Sequence, residues 1–407
     1  MNEKKATPHI LHSYAAKKEH LIIGLMSGTS LDGVDAVLVH ITQSGGEQFT
    51  LKHHYYLPYS KGMREKISRV CRVPSSHVNE ILDVHFGLSH WYAKAVNNLL
   101  IESGYKATSI DAISMHGQTV WHSPVATPFP GPDGEFGVTG TLQLGNASVL
   151  AKLTDIPVIS DFRSADMAVG GEGAPLAPYS DFMMFGSTQE GRIIQNIGGI
   201  GNATVLPKGD QQSSIFAFDT GPGNMIIDEI VSLHTNMEQL YDDEGKIGKS
   251  GKVEEGVIEH FMKDPYYKKS PPKSTGREVY GKDFTQTFIE KCGEYNLSFS
   301  DCVATATAFT AQTIAHSYKE YILPRYSISK VLVCGGGALN STLLEMIQQR
   351  LPKEIEVTTI SAYGIPDQGR EAMAFAIMGH RSLLGEPGNL VLVTGARVPV
   401  VLGTITL

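Results

Sequence analysis

The sequence offers little that could hold a chain together from outside its own packing. Its four cysteines, Cys71, Cys292, Cys302 and Cys334, are far apart and form no C-x-x-C or Cys/His ligand spacing. That excludes a disulfide-stapled scaffold and a zinc finger, and it fits reduced thiols in a cytosol. Nowhere do 18 apolar residues follow one another, and residues 1–20 are polar and basic with no apolar stretch, so neither a membrane span nor a secretory signal is expected. Basic residues are in deficit: 34 Lys and Arg stand against 42 Asp and Glu, a net charge of −8. Such a balance repels nucleic-acid phosphates and anionic lipid, so the expectation is no nucleic acid and no membrane partner.

Glycine, by contrast, is plentiful, at 42 of 407 residues, and 42% of the chain is hydrophobic, enough for a sizeable core divided between two domains. Two glycine-bearing hairpins are visible. In the first, apolar residues 21–26 lead into Ser27, Gly28, Thr29, Ser30, Leu31, Asp32 and Gly33, and then into Val34, Asp35 and a β-rich run to Ile41. In the second, residues 193–196 end in Asn196, the turn passes through Gly198 and Gly199, and residues 203–206 return. Each hairpin opens a stretch that mixes short strands with helical periodicity, which predicts a duplicated α/β architecture.

Between and after the hairpins, helices are expected over residues 81–103, 225–234, 300–321 and 367–380, and strands over 110–115, 157–160, 214–218 and 330–334. Residues 123–140 and 264–283 read as loops, residues 219–223 as a turn, and Asn224 as a helix cap. Several familiar sites are absent. Gly276 to Lys282 has the spacing of a P-loop, but Asp283 stands where its Ser or Thr belongs, and neither G-x-G-x-x-G nor G-x-S-x-G occurs.

Turns that present successive backbone N–H groups make anion-binding concavities, although a plain tight turn has the same composition. Asp219, followed by Thr-Gly-Pro-Gly, either collects a proton from a substrate or satisfies the N–H groups of its own turn. Arg163 offers the forked donors a carboxylate needs, or a surface ion pair. His116 and His122 have no ligand spacing, so His116 and Gln118 read as hydrogen-bonding groups instead. The basic segment 263–277, with Tyr266 and Tyr267, reads as a solvated lid.

Taken in order, these stretches resemble the sugar kinase, Hsp70 and actin ATPase superfamily, and within it the anhydro-N-acetylmuramic acid kinase family. The resemblance is carried by residues 24–35, Met115-His-Gly-Gln-Thr119, Gln143-Leu-Gly-Asn146, Asp161-Phe-Arg163 and Gly170-Gly-Glu-Gly-Ala-Pro-Leu176. It continues through Asn196-Ile-Gly-Gly199, Phe218-Asp-Thr-Gly-Pro-Gly-Asn224, Pro272-Lys-Ser-Thr-Gly-Arg-Glu278 and Cys334-Gly-Gly-Gly-Ala338.

The resemblance implies a two-lobed actin-like (ribonuclease H-like) α/β fold, each lobe a mixed sheet flanked by helices, with ATP in the cleft between. Lobe one is expected over residues 20–160 plus 381–407 and lobe two over 161–380. The implied reaction uses ATP, Mg2+ and water to convert 1,6-anhydro-N-acetylmuramic acid to N-acetylmuramic acid 6-phosphate in the cytoplasm, during cell-wall recycling, in a homodimer. Asp219 is then the general base; Gly28, Thr29, Ser30, Leu31, Asp32, Gly33, Val34, Asp35, Asn196, Gly198 and Gly199 face the phosphates, and Gly335, Gly336, Gly337 and Asn340 the nucleotide. Asp32 and Glu371 are the expected metal contacts. His116, Gln118, Gln143, Asn146, Arg163, Gly173, Ala174 and Pro175 are the expected sugar-binding groups. A levoglucosan-type anhydrohexose kinase is the alternative, and a non-enzymatic ATP-driven binding protein a third reading without a recognisable peptide-binding or polymer-contact segment.

Overall fold

Both glycine hairpins form, and each opens a sheet. The computed structural model describes residues 10–43, 46–209, 211–366 and 369–407; the first nine residues of the polar leader and Asp367, the expected start of the last helix, lie outside the described residues. The chain divides into two units, residues 1–184 with 368–407, and residues 185–367.

In the first unit the sheet is built from β1 (Glu19–Ser27), β2 (Gly33–Thr42), β3 (Gln48–Pro58), β4 (Ala112–Gly131), β5 (Gly134–Leu144), β6 (Val158–Ser160) and the late strand β12 (Thr404–Thr406). Its order is β12-β6-β4-β1-β2-β3, with β5 paired to β4. β1 and β2 are antiparallel, as are β2 and β3, whereas β1 runs parallel to β4, and β4 to β6. One sheet face buries Ile23, Leu25, Val34 and Ala36 against Leu88, Tyr92, Val96 and Leu99 of the helix Val78–Ser103, residues at the three-to-four spacing that keeps them on one helical face. The other face receives the helix Arg370–Leu384, which crosses β1 at Gly24, where a Cβ would stand 1.9 Å from the carbonyl oxygen of Ala372. Ser180 Oγ donates to the Ala374 carbonyl (2.9 Å) from the neighbouring helix.

The second unit repeats the plan with β7 (Gly191–Ile197), β8 (Ile200–Leu206), β9 (Phe216–Pro222), β10 (Ile328–Cys334) and β11 (Glu356–Thr359). Its order, β11-β10-β7-β8-β9, puts the opening hairpin and third strand antiparallel and β10 and β11 parallel, as β4 and β6 are in the first unit, where β12 then adds antiparallel to β6. Ile193, Val205, Val331 and Val333 pack on Ala311, Ile314, Leu343 and Ile347. A second apolar cluster joins Ile226, Phe261, Phe288 and Phe309 from four helices. The longest of these, Phe299–Ser317, begins at a capping box in which Ser298 Oγ accepts from Asp301 N (3.2 Å) and Asp301 Oδ2 accepts from Ser298 N (3.2 Å).

These sheets are the α/β architecture expected, but several boundaries differ. The units part at 184/185 and 367/368 rather than at 160/161 and 380/381. The reason is that Arg163 binds His116 and Asp166 binds Asn389 and Thr394, while Arg370 and Asp181 form a buried ion pair. Residues 123–140 are not a loop. They are the outer part of the β4–β5 ribbon, whose free edges tolerate Pro124, Pro128 and Pro130 and whose cross-strand pair Phe129–Phe136 has ring centroids 5.9 Å apart. The expected turn at 219–223 is largely strand, because β9 runs on to Pro222 through a bulge: Asn202 faces Asp219 and Gly201 faces Gly221, leaving Thr220 extra. Asn224 starts the helix Met225–His234 without a side-chain capping bond, its amide donating instead to the Ile197 carbonyl (3.4 Å). Segment 264–283 holds a single turn Pro265–Lys268 and a short helix Arg277–Tyr280; Tyr266, Tyr267 and Lys273 are buried, while Lys263, Lys268, Lys269 and Arg277 are exposed. Among the described residues no helix is long and apolar enough to cross a membrane.

Because the Ala372 carbonyl occupies the space a side chain at Gly24 would need, Gly24→Ala should destabilise the first unit by about 2 kcal/mol through overpacking. The chain's two tryptophans, Trp91 and Trp121, both lie in that unit, so urea unfolding followed by tryptophan fluorescence reads the effect; an unchanged midpoint would show that the helix yields.

Candidate active site

In the first unit the glycine hairpin is a turn between β1 and β2 in which Leu31 takes a left-handed φ of 56° and its N–H reaches the Gly28 carbonyl (3.3 Å). Thr29, Ser30 and Asp32 are exposed, and Ser30 Oγ donates to Asp32 Oδ1 (2.8 Å). Gly33 has to be glycine: a Cβ there would meet the Leu57 carbonyl at 2.5 Å. Gln118 is fully buried, and its Nε2 donates to the Gly28 carbonyl (3.0 Å). Its Nε2 braces the turn, while its Oε1 is buried without a hydrogen-bond partner among the described residues.

Three carboxylates gather near this turn. Asp35 accepts from or donates through His54 Nε2 (2.8 Å), and burial raises its pKa, opposed by His54 and assisted by Asp32. Glu371, second residue of the helix Arg370–Leu384, is exposed, yet desolvation by the surrounding protein pushes its carboxyl up; Arg370 and Arg163 oppose, while Asp35 and Asp181 add to the rise. Among the described residues no three His, Cys, Asp or Glu side chains are grouped closely enough to hold a metal by themselves. Mg2+ does not require that, since it takes one or two carboxylates and completes its octahedron with water and phosphate. Asp32 raises Asp35, and Asp35 raises Glu371; carboxylates coupled in this way are a donor set that a hard cation relieves, so the acids beside this turn fit the group.

Arg163 lies beside His116. Its Nε (3.1 Å) and Nη2 (2.8 Å) both point at His116 Nε2, and Nη1 donates to the Gly173 carbonyl (2.7 Å). A guanidinium only donates, so His116 is a neutral acceptor; burial, with Arg163, pushes its pKa down to about 3. Among the described residues Arg163 makes no direct ion-pair contact; Glu371 acts on its charge from a distance, opposing the effect of burial. Gly173, at φ 69°, is held by Asp166, whose Oδ2 accepts from Gly173 N (2.9 Å) and whose Oδ1 accepts from Asn389 Nδ2 (2.7 Å) and Thr394 Oγ1 (2.7 Å). Ala174 and Pro175 follow, half-buried and exposed. Asp166 was not singled out in the sequence; its three-residue distance from Arg163, a single helical turn, was the available signal.

Gln143 is half-buried, its amide donating to Thr141 Oγ1 (2.7 Å) and Thr119 Oγ1 (3.2 Å). Asn146 has a structural role: it caps the helix Ala147–Thr154, its Oδ1 accepting from Val149 N (3.0 Å) and its Nδ2 meeting His85 Nε2 (3.2 Å).

In the second unit the Gly198–Gly199 turn is fixed from below. Gly223 N and Asn224 N donate to the carbonyls of Gly199 (2.9 Å) and Gly198 (2.8 Å), and a Cβ on Gly223 would stand 2.2 Å from the Gly198 oxygen. Asn196 Oδ1 and the Ile197 carbonyl crowd Gly335, which sits at φ 80°; Gly336 and Gly337 start the turn Gly336–Leu339. Asn340 then caps the helix Ser341–Arg350, its Oδ1 accepting from Leu343 N (2.9 Å), so its side-chain oxygen serves the helix.

Asp219 sits at the β9 bulge, half-buried. Its Oδ2 accepts from Thr275 N (2.9 Å), its carbonyl accepts from the Tyr266 hydroxyl (2.6 Å), and its own N–H donates to the Lys273 carbonyl (3.1 Å). Burial raises its pKa; the Thr275 N–H lowers it and Glu278 raises it further.

A cavity of about 310 Å3 opens beside Asn224 and Gly336, lined also by Asp228, Tyr241, Asp242 and Leu339. Asp242 accepts from Ile247 N (2.8 Å) and Gly248 N (2.9 Å), while burial, with Asp242, pushes Asp228 up to about 7. An acid-lined wall of this kind suits hydroxyl and amino donors, as on a nucleoside, and repels phosphate. The sequence reading missed Asp228, although its position four residues after Asn224 puts both on one helical face.

A family model described as "Anhydro-N-acetylmuramic acid kinase" matches residues 20–407. A protein of that name from Caldanaerobacter subterraneus subsp. tengcongensis is 40% identical over 392 residues, 96% of this chain and 98% of its own length. One from Bacillus cereus (strain ATCC 10987 / NRS 248) is 41% identical over 388 residues, covering 95% and 98%. Among solved structures, the activator of the 2-hydroxyisocaproyl-CoA dehydratase from Clostridium difficile with bound ADPNP aligns with a TM-score of 0.44 at 13% identity, over 89% of this chain and 95% of that one. On a family match that spans both glycine hairpins, the Asp219 strand and the Arg163 wall, the chain belongs to the anhydro-N-acetylmuramic acid kinase family.

Proposed function

We propose that this protein uses ATP and water to open the 1,6-anhydro bridge of 1,6-anhydro-N-acetylmuramic acid and to phosphorylate the freed O6, in the cytoplasm, during peptidoglycan recycling, as a homodimer. Water adds to the anomeric carbon as Asp219 takes its proton; the C1–O6 bond breaks, and O6 accepts the γ-phosphoryl group, leaving ADP. The Asp219 proton then passes to solvent. The observation that carries this reading is Asp219 itself, whose carboxyl is oriented by the Thr275 N–H and raised above the ordinary Asp range by burial, a shift toward the pH at which a base works.

The other residues bind and orient. Arg163, without a direct ion-pair contact among the described residues, is the group for the 3-lactyl carboxylate, positioned by the neutral His116. Gln143 and the Gly173-Ala174-Pro175 stretch complete the sugar wall. Backbone N–H groups at Gly28–Asp35, Gly198–Gly199 and Gly335–Gly337 face the nucleotide phosphates, and the Asp228 cavity takes the nucleoside. Mg2+, when bound, neutralises phosphate charge; Asp32 and Glu371 would hold it.

Asp219→Asn should leave nucleotide binding intact and lower kcat by at least about 100-fold, the scale of a lost general base. Because the base must be ionised and its pKa is raised, kcat/KM of the unmodified enzyme should fall on the acid side at a higher pH than an unperturbed Asp would give. Near-normal turnover by the variant removes Asp219 from the mechanism.

Levoglucosan lacks both the 2-acetamido group and the lactyl carboxylate, so it leaves Arg163 unpaired. The anhydromuramic substrate should therefore be preferred by at least about 100-fold in kcat/KM, on the order of 2.7 kcal/mol. Side-by-side kinetics decide the matter, and equal efficiency would favour an anhydrohexose kinase.

A further inference from the structure

All three hydrogen bonds that fix Asp219 come from one stretch: the Tyr266 hydroxyl, the Lys273 carbonyl and the Thr275 N–H. That stretch is irregular backbone, and no strand or helix ladder holds residues 272–275 in place. What it does have is a buried ammonium. Lys273 is 9% exposed, and its Nζ lies 4.7 Å from the ring centre of Tyr266, 4.7 Å from that of Tyr321 and 6.0 Å from that of Phe218.

Its one hydrogen bond runs to the Tyr266 carbonyl at 3.4 Å, and among the described residues it has no carboxylate partner. A buried cation without an ion pair must be held by something else, and the negative faces of aromatic rings are that something. The rings are in turn anchored. Tyr321 donates its hydroxyl to the Tyr267 carbonyl (2.7 Å), and Phe218 immediately precedes Asp219 on β9. Burial, with Lys269, pushes Lys273 down to about 8, so its charged form still dominates at neutral pH.

We propose that Lys273 is a positioning residue, whose ammonium, caged by Tyr266, Tyr321 and Phe218, fixes residues 272–275 so that their carbonyl and N–H orient Asp219. The proposal rests on Asp219 being the base, as argued above. Its mechanism separates charge from bulk: methionine fills the space of the lysine stem but gives the rings no cation, whereas arginine keeps one and stacks on aromatic faces.

The test uses the full chain with Lys273→Met and Lys273→Arg, reading steady-state kinetics and amide hydrogen exchange of Asp219 and residues 272–276. Lys273→Met should exchange these amides faster and lower kcat about 10-fold or more, with KM for ATP within about twofold, because a displaced base slows chemistry without weakening nucleotide binding. Lys273→Arg should restore most of both. Unchanged exchange in Lys273→Met overturns the proposal whatever the activity. Faster exchange with unchanged kcat supports the latch and counts instead against Asp219 as base. Should Lys273→Met fail to fold, Tyr321→Leu removes one wall of the cage from outside the Asp219 contacts, and it must speed the same amides for the proposal to survive.

Discussion

The helix Arg370–Leu384 meets β1 backbone to backbone at Gly24, and the arrangement of the first unit depends on that contact. At Gly24 the strand gives up its side chain so that the Ala372 carbonyl can sit where a Cβ would be, and at Gly379 the helix does the same for Ser114. Two glycines, one on each element, bring the backbones together. Polar bonds then lock the depth of insertion: Ser114 Oγ donates to the Phe375 carbonyl and Ser180 Oγ to that of Ala374. The same insertion carries Glu371 into the electrostatic reach of Asp35 and Arg163 and lays Phe375 against the His116 ring, centroids 4.5 Å apart. The acid cluster and the Arg163 pair are thus consequences of helix packing, and not of any local motif.

The second unit solves the related problem of aiming a carboxylate by a different device. A one-residue bulge turns β9 at Thr220, and the far side of Asp219 is met by irregular chain rather than by another strand. Such a site keeps the carboxylate half out of water, with a single backbone donor on it. Buried hydroxyls on the helix Phe299–Ser317 support the bulge from below, with Thr310 Oγ1 donating to the Gly223 carbonyl (2.8 Å) and Ser317 Oγ to that of Thr220 (3.4 Å).

Much of this was legible in the sequence because it is written in short-range terms. The glycine hairpins, the buried strands and the long amphipathic helices all announce themselves by turn residues and periodicity, and β1–β2, β7–β8 and the helices from Val78 and Phe299 form as expected. Residues 123–140 misled because Pro and Gly signal loops in general but are also tolerated in a two-stranded ribbon with free edges. Asn146, Asn340 and Gln118 carry structural duties the sequence did not show: an amide looks the same in sequence whether it faces a ligand or a helix end, and only the fold reveals that Val149, Leu343 and Gly28 engage one end of each. Unit boundaries were misplaced because the ties that set them, such as Asp181 to Arg370, join residues 189 apart in the chain. The Lys273 cage was invisible for the same reason, since Phe218 and Tyr321 reach it from either side in sequence.

The split of the first unit also orders events on the ribosome. All strands of the second unit lie within residues 185–367, whereas β1 waits for a helix that begins about 350 residues after it. At about 5–20 residues per second this is a delay of roughly 20–70 s, during which the Gly24 furrow has no cover. The later unit in the chain can therefore complete its fold first, and the nascent first unit is the portion that needs shielding from other apolar surfaces until its last helix emerges.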